Sequence, residues 1–390
     1  MNRTAKNAQE FPEGNLTVLV GNGLTIALNS DLTLKRITEE AFSAIQDDSG
    51  DDVAKVMQAL AERVNSGGEG GADSDFEALV GAFGFEARNL GMLGEIADSL
   101  DGVSDKSLAA AIEKTRKFSN EVQMRGISHV LEYIDDHAKL QNSELEEIRK
   151  IVGNLVNSFP KGNITFANLN YDSILMQGLA PNYDELADMA DGSQSQEIDL
   201  FGTGPLTAYS MRVGANFPKE RRIRLVHLHG SLTFWECEDG AGVVKVKKKD
   251  VSEAQPWGAL RTGASNVRPC VVLAKPEDKP EIIKESPYDL AYEVFEDALG
   301  SADGCVVIGY SFRDDSVNRR IHSAILERSI RSLLVVGTSS ITREVVLSNL
   351  GLIEDELDED FRIFVDQDGA VDFTSHDQWK EFKESLGQGS

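Results

Sequence analysis

Leu16-Thr17-Val18-Leu19-Val20-Gly21-Asn22-Gly23-Leu24-Thr25 is the stretch on which the fold turns. Its first half is a run of apolar and β-branched residues and reads as a buried strand. The glycines that follow read as a tight turn into a helix. An apolar strand delivered into glycines is the usual entrance of a nucleotide-binding α/β fold. The complete G-x-G-x-x-G is absent, because Ile26 stands where the last glycine would be, so the common dehydrogenase fingerprint is not met. Two readings stay open here. One is a plain strand-to-helix turn. The other is a phosphate cradle, with backbone amides of Gly21-Asn22-Gly23 facing an anion and Thr25 adding a hydroxyl.

Outward from this stretch, apolar strands recur at 163–168, 223–228, 269–273, 305–308, 333–336 and 361–365. Several are continuous apolar runs, which suit strands buried on both faces of a largely parallel sheet. Helical patterns lie between them, at 288–299 and 316–328. Residues 32–159 carry no convincing strand. Ile127, Val130, Leu131 and Ile134 fall on one helix face, as do Leu145, Ile148, Val152, Leu155 and Val156. Ser143 and Glu146 form a capping-box pattern at the start of the second helix. Polar stretches at 66–75, 99–107, 191–196, 355–360 and 387–390 read as loops or a tail. The expected architecture is α/β: a Rossmann-like, doubly wound, mostly parallel sheet with a large all-helical insertion after the first strand. The domains expected are a discontinuous unit of residues 1–30 and 161–390 and a helical unit of 31–160, the second offering an oligomer or partner surface.

The chain has 390 residues, a net charge of −26 and 41% hydrophobic residues, enough apolar material for a large core. The negative charge opposes direct nucleic-acid binding. The basic runs 219–224 and 245–249 read as solvated surface. With three cysteines, Cys237, Cys270 and Cys305, one chain cannot build a four-cysteine zinc site. No apolar run marks a signal peptide in residues 1–14 or a membrane span anywhere, so a cytoplasmic protein is expected.

Other strand ends carry polar residues where an open α/β sheet places its ligands. Asn170 and Asp172 follow the strand at 163–168, and Asp172 also suits an Asx-type turn capping the next helix. His227 and His229 close the strand at 223–228. A shared metal has no further ligand at a suitable spacing, so one histidine reads as structural. His229, beside Gly230, reads as the better general base. Gly309 and Ser311 follow 305–308, with Asp314 or Asp315 placed to cap the next helix. Gly337 and Thr338 follow 333–336. No Gly-x-Ser-x-Gly elbow occurs.

In order and spacing this set resembles the sirtuin-like superfamily, and within it the prokaryotic branch of NAD-consuming anti-phage defence proteins. Gly21-Asn22-Gly23 stands for the family's Gly-Ala-Gly turn. Leu169-Asn170-Tyr171-Asp172 stands for its Gln-Asn-Ile-Asp, and His229-Gly230 for its catalytic His-Gly. The segment from Gly309 to Asp315, with Asn318 beyond it, is similar to the bacterial branch in particular. Two departures stand out: the zinc ribbon cannot form, and the Pro-Asp-Phe-Arg loop that helps hold acyl-lysine is missing.

The resemblance implies NAD+ as substrate and cleavage of its nicotinamide–ribose bond, without a metal, to nicotinamide and ADP-ribose. It implies that Asn170, Asp172 and His229 are catalytic. It implies that Gly21, Asn22, Gly23 and Thr25, with Asn170 and Asp172, hold the phosphates and ribose, and that Gly309, Ser311, Gly337 and Thr338 border the adenosine. It also implies control by self-assembly or by a partner such as a HerA-like ATPase, an Argonaute-type protein or another defence protein. A non-catalytic NAD+ or ADP-ribose sensor, a protein deacylase or ADP-ribosyltransferase, and a dehydrogenase are the competing readings.

Overall fold

A computed structural model describes residues 14–49, 55, 59, 76–99, 106–237, 242–274 and 278–387. The loop readings at 66–75 and 99–107 fall wholly or mostly outside these residues, as do most of 1–14 and the tail.

The opening strand is β1 (Leu16–Val20). It pairs in parallel with β2 (Ile164–Asn168) on one side and β10 (Gly304–Ile308) on the other. With β3 (Leu186–Asp188), β6 (Ile223–His227), β11 (Ser332–Val336) and β12 (Arg362–Asp366) they form a 7-stranded, all-parallel sheet. Its order is β12-β11-β10-β1-β2-β6-β3. Counting β1, β2, β6, β10, β11 and β12 as first to sixth gives 3-2-1-4-5-6, the doubly wound order, with β3 added at one edge. The chain reverses its direction of winding between β1 and β10.

Both faces of this sheet are covered, which is why its strands read as unbroken apolar runs. Leu16, Val18 and Val20 of β1 point into one core with Phe166, Leu225, Val306 and Leu334. Leu19 points the other way, with Ala167, Val226, Val307 and Val335. The second face is covered by α10 (Tyr288–Ser301), α11 (Asp315–Leu326) and α12 (Arg343–Leu350). The first face carries α1 (Asn22–Leu28), α13 (Asp377–Gly387) and the helices that follow β1.

Between β1 and β2 no described residue is in a strand. The stretch forms α2 (Leu34–Ser49), α3 (Phe76–Ser99), α4 (Lys106–His137) and α5 (Asn142–Ser158). Ile127, Val130, Leu131 and Ile134 are buried along α4, as their spacing requires. On α5, Ile148, Val152, Leu155 and Val156 are buried and Leu145 is partly so. The capping box does not form. The helix begins at Asn142 behind Gln141, whose side chain makes no capping bond, so Ser143 lies inside the first turn.

A second sheet is added to the expected architecture. β4 (Ala190–Ile198), β5 (Leu206–Met211), β7 (Gly230–Cys237), β8 (Gly242–Val246) and β9 (Val267–Val271) form a 5-stranded antiparallel sheet in the order β4-β5-β8-β7-β9. The strand expected at 269–273 therefore belongs to this sheet, shifted toward the N-terminus. The loop expected at 191–196 lies in β4, an exposed edge strand of polar residues. Gly230 makes the change of sheet possible. Its φ is +82°, and a Cβ there would lie 2.0 Å from the Cys270 carbonyl oxygen. The basic run 245–249 is also less solvated than expected, because Lys245 pairs with Asp188 and Lys248 with the fully buried Asp135. Among the described residues no helix is long and apolar enough to cross a membrane.

Candidate active site

At the carboxyl edge of the parallel sheet the hydrogen-bond ladder runs one residue past each strand. Leu228 N–H donates to Asn168 O, Leu169 to Val20, Gly21 to Ile308, Gly309 to Val336 and Gly337 to Asp366, all at 2.8–2.9 Å. The strand-end segments singled out from sequence therefore lie side by side along one edge. They flank the point where the winding reverses, the position at which such sheets bind ligands.

The glycine turn sits at that point, and its amides already have partners. Gly21 N–H donates to Ile308 O at 2.9 Å and Gly23 N–H to Gly309 O at 2.7 Å. The backbones touch: a Cβ on Gly23 would lie 2.6 Å from Gly309 Cα, and one on Gly21 would lie 2.7 Å from Gly309 O. Gly309 has φ +62°. The glycines are thus required by chain-to-chain contact in this state, and a phosphate would have to compete with two carbonyls for these amides. The Asn22 side chain donates to Leu32 O. Ser311 and Thr338 are exposed, and Gly337 is half-buried. Thr338 bonds Ser340 rather than any other site residue.

Thr25, Asn170 and Asp172 do come together. Asn170 Nδ2 donates to Gly21 O (3.1 Å) and to Thr25 Oγ1 (3.0 Å). The Thr25 hydroxyl donates to Asp172 Oδ2 (2.8 Å), and Asp172 Oδ1 accepts the Ile174 N–H at 2.8 Å, the expected Asx-type turn into α6 (Ile174–Leu179). Because Gly21 O can only accept, the amide orientation of Asn170 is fixed. Among the described residues no donor reaches its Oδ1. Burial raises the Asp172 carboxyl above its ordinary value, against the Ile174 amide and Thr25 hydroxyl, which lower it.

His227 and His229 are placed differently. His227 Nδ1 lies 3.4 Å from Asn168 Nδ2, and burial pushes its pKa down to about 4, so the ring is neutral. His229, 4% exposed, has its Nε2 at 2.9 Å from Asp314 Oδ2. The other oxygen of Asp314 caps α11, accepting Ser316 N–H (2.8 Å) and Val317 N–H (3.2 Å). Burial would raise the Asp314 carboxyl, but the His229 bond, with the His229 and Lys279 charges, holds it well below the ordinary aspartate range. An ionised carboxylate can only accept, so Nε2 carries the proton and, in the neutral ring, Nδ1 carries the lone pair.

Sequence reasoning missed the groups behind this pair. Lys279 Nζ lies 3.4 Å from the same Asp314 oxygen and 2.8 Å from Glu77 Oε2. Glu77 Oε1 lies 2.7 Å from the Tyr171 hydroxyl. No local pattern marks these residues. Lys279 and Glu77 are separated by 202 positions and meet only in the fold. His227 and His229 engage different partners, Asn168 and Asp314. Among the described residues, the cluster of potential metal ligands is Asp366, Asp368 and His376, at the end of β12.

No family model matches the chain, and no curated protein matches it. Among solved structures it is similar to one described as "Structural Basis for the Mechanism and Regulation of Sir2 Enzymes", at 11% identity over 96% of this chain and 93% of that one, with a TM-score of 0.34. At that level of similarity the chemistry has to be read from the site itself.

Proposed function

We propose that this chain is an NAD+ nucleosidase, cleaving NAD+ to nicotinamide and ADP-ribose, and that it serves prokaryotic anti-phage defence by depleting NAD+ in the cytoplasm. The observation that carries the reading is the pairing of His229 with an ionised Asp314, on the same sheet edge as the interlocked Thr25, Asn170 and Asp172.

The pyridinium of NAD+ is its own leaving group, so the step asks for no metal. The nicotinamide–ribose bond breaks with its electron pair going to the ring nitrogen. The ribose then carries an oxocarbenium-like charge that water captures. His229 Nδ1 accepts the proton of that water, or of a ribose hydroxyl, and Asp314 stabilises the imidazolium from the Nε2 side. Asn170 Oδ1 accepts a hydrogen bond from the ribose or the water. Asp172, through Thr25, fixes Asn170. Gly309, Ser311, Gly337 and Thr338 border the adenosine side.

The functional units in this reading are residues 1–30 with 161–390 for NAD+, and 31–160 for control. Met92, Leu93, Ile96 and Phe118 expose apolar side chains on α3 and α4, which suits a second copy or a partner subunit such as a HerA-like ATPase. The test is NAD+ consumption with products separated by chromatography. His229→Ala and Asn170→Ala are each expected to lose about 10²–10⁴-fold in turnover. Unchanged turnover in either variant overturns its assignment.

One observation favours a second reading, a sensor that binds NAD+ or ADP-ribose without cleaving it. Asn170, Asp172 and His229 are all buried, and the glycine amides are bonded to carbonyls. Binding without turnover under every activating condition would select it.

A further inference from the structure

The His229–Asp314 pair continues into a longer chain of contacts that the proposed chemistry leaves without a role. Asp314 Oδ2 faces both His229 Nε2 (2.9 Å) and Lys279 Nζ (3.4 Å). Lys279 is held from its other side by Glu77 Oε2 at 2.8 Å. The side chains are 5% exposed for His229 and Asp314, 10% for Lys279 and 23% for Glu77. Each comes from a different element: the turn after β6, the cap of α11, the short helix α9 (Lys279–Ile282), and the first turn of α3.

The charges are interdependent. Two carboxylates share one ammonium. Burial lowers the Lys279 ammonium, but Glu77 and Asp314 outweigh it and hold its pKa above the ordinary lysine value. Burial raises the Glu77 carboxyl, but Lys279, His229 and Tyr171 bring it below the ordinary glutamate value. Glu77 is also the point where the helical stretch meets the sheet edge. Its Oε1 lies 2.7 Å from the hydroxyl of Tyr171, the neighbour of Asn170, and Phe76 packs edge-on against the Tyr171 ring at 6.2 Å. The Tyr171 hydroxyl also lies 2.8 Å from Val272 O, and its one proton serves one of the two acceptors at a time.

We propose that Glu77 and Lys279 are positioning residues for His229: Glu77, supplied by α3, holds Lys279, and Lys279 with Asp314 fixes the imidazole in its Nε2–H form with Nδ1 free. The helical stretch is then a working part of the site, and a displacement of α3 is felt at the base. The inference deepens the reading of His229 as general base and rests on it for its catalytic meaning. The geometry it asserts can be tested apart from catalysis.

A purely structural ion cluster would stabilise the fold without setting the state of the ring, so the deciding readout is the ring itself. The experiment is nitrogen NMR of the full chain with labelled histidine at pH 8, the His229 signals assigned by their loss in His229→Gln. The unsubstituted protein is expected to show a single Nε2–H tautomer with a slowly exchanging ring proton. Glu77→Gln, nearly isosteric, and Lys279→Met are expected to move the ring nitrogens toward the averaged positions of mixed tautomers and to lose the slow exchange. Lys279→Arg, which keeps the charge, is expected to retain the single tautomer. Lys284→Met, which breaks an exposed pair with Glu281, is expected to change nothing.

Unchanged His229 signals in folded Glu77→Gln overturn the proposal, whatever Lys279→Met does. Should Lys279→Met fail to fold, Glu77→Gln and Lys279→Arg decide. NAD+ turnover is measured beside it, and Glu77→Gln is expected to lower kcat by up to about 10²-fold, the smaller end of what a positioned base supplies, with KM little changed. A wild-type protein with no NAD+ cleavage but with the expected ring signals and shifts would overturn the nucleosidase reading and leave the positioning chain standing.

Discussion

Two buried aspartates at the same sheet edge behave in opposite ways. Asp172 and Asp314 are both nearly shut off from solvent, at 4% and 6% exposed. Burial raises the carboxyl of Asp172, whose partners are a hydroxyl and an amide N–H. Asp314 has the same kind of capping amides, but it also faces His229 and Lys279, and they hold its carboxyl low. Depth does not decide the charge of a buried acid; the sign of what faces it does. The edge thus has a dipolar half, built from Thr25, Asn170 and Asp172, and an ionic half, built from His229, Asp314, Lys279 and Glu77.

The largest effect should come from breaking the ionic half. Lys279→Met leaves the buried Asp314 and the part-buried Glu77 without their shared cation and is expected to destabilise the fold by about 3–5 kcal/mol in urea unfolding. A loss below about 1 kcal/mol would mean the two halves are not electrostatically different. Next comes the hub of the dipolar half. Thr25→Val keeps the shape but removes both the donor to Asp172 and the acceptor of Asn170, and is expected to cost about 1–3 kcal/mol.

The smallest effect should be Asp172→Asn, within about 1 kcal/mol at pH 7, because the amide oxygen still accepts from Ile174 N–H. Its pH dependence sharpens the contrast. An ordinary aspartate titrates near about 3.9. Asp314, lower in the folded state, contributes stability above that value and loses it as pH falls toward its folded pKa. Asp172, higher in the folded state, takes up its proton more readily folded than unfolded, so its contribution to stability rises as pH falls through its folded pKa. In unfolding free energies from pH 7 to pH 3 the stability advantage of the parent over Asp314→Asn should therefore shrink, while its stability relative to Asp172→Asn should rise. Parallel slopes would dissolve the distinction.

The parallel sheet was legible because strands covered on both faces must be apolar throughout, as in β10 and β11. The antiparallel sheet was not. β4, Ala-Asp-Gly-Ser-Gln-Ser-Gln-Glu-Ile, has an open edge and little apolar content, so nothing in its pattern separates it from a loop. β9 was seen as a strand, yet an apolar run does not reveal which sheet it joins. In the site, Asn170, Asp172, His229 and the Asp314 cap were legible because each lies a few residues past a recognisable strand. Glu77 lies in the first turn of the long helix α3 and Lys279 in the four-residue α9, and neither follows a strand end closely. Their pairing is a product of tertiary distance, and a linear pattern holds no trace of it.

The contact between Gly23 and Gly309 bears on how such chains diverge. Two backbones that meet where a Cβ would stand 2.6 Å from a neighbouring Cα leave no room for a side chain at either position without moving the other. Substitutions at 21, 23 and 309 are therefore linked, and descendants of this chain would keep or lose the glycines as a group. That inheritance would hold even in a lineage that had stopped binding any nucleotide. A glycine pair after a first strand can thus be a record of how two turns were fitted together, passed on for the sake of the joint.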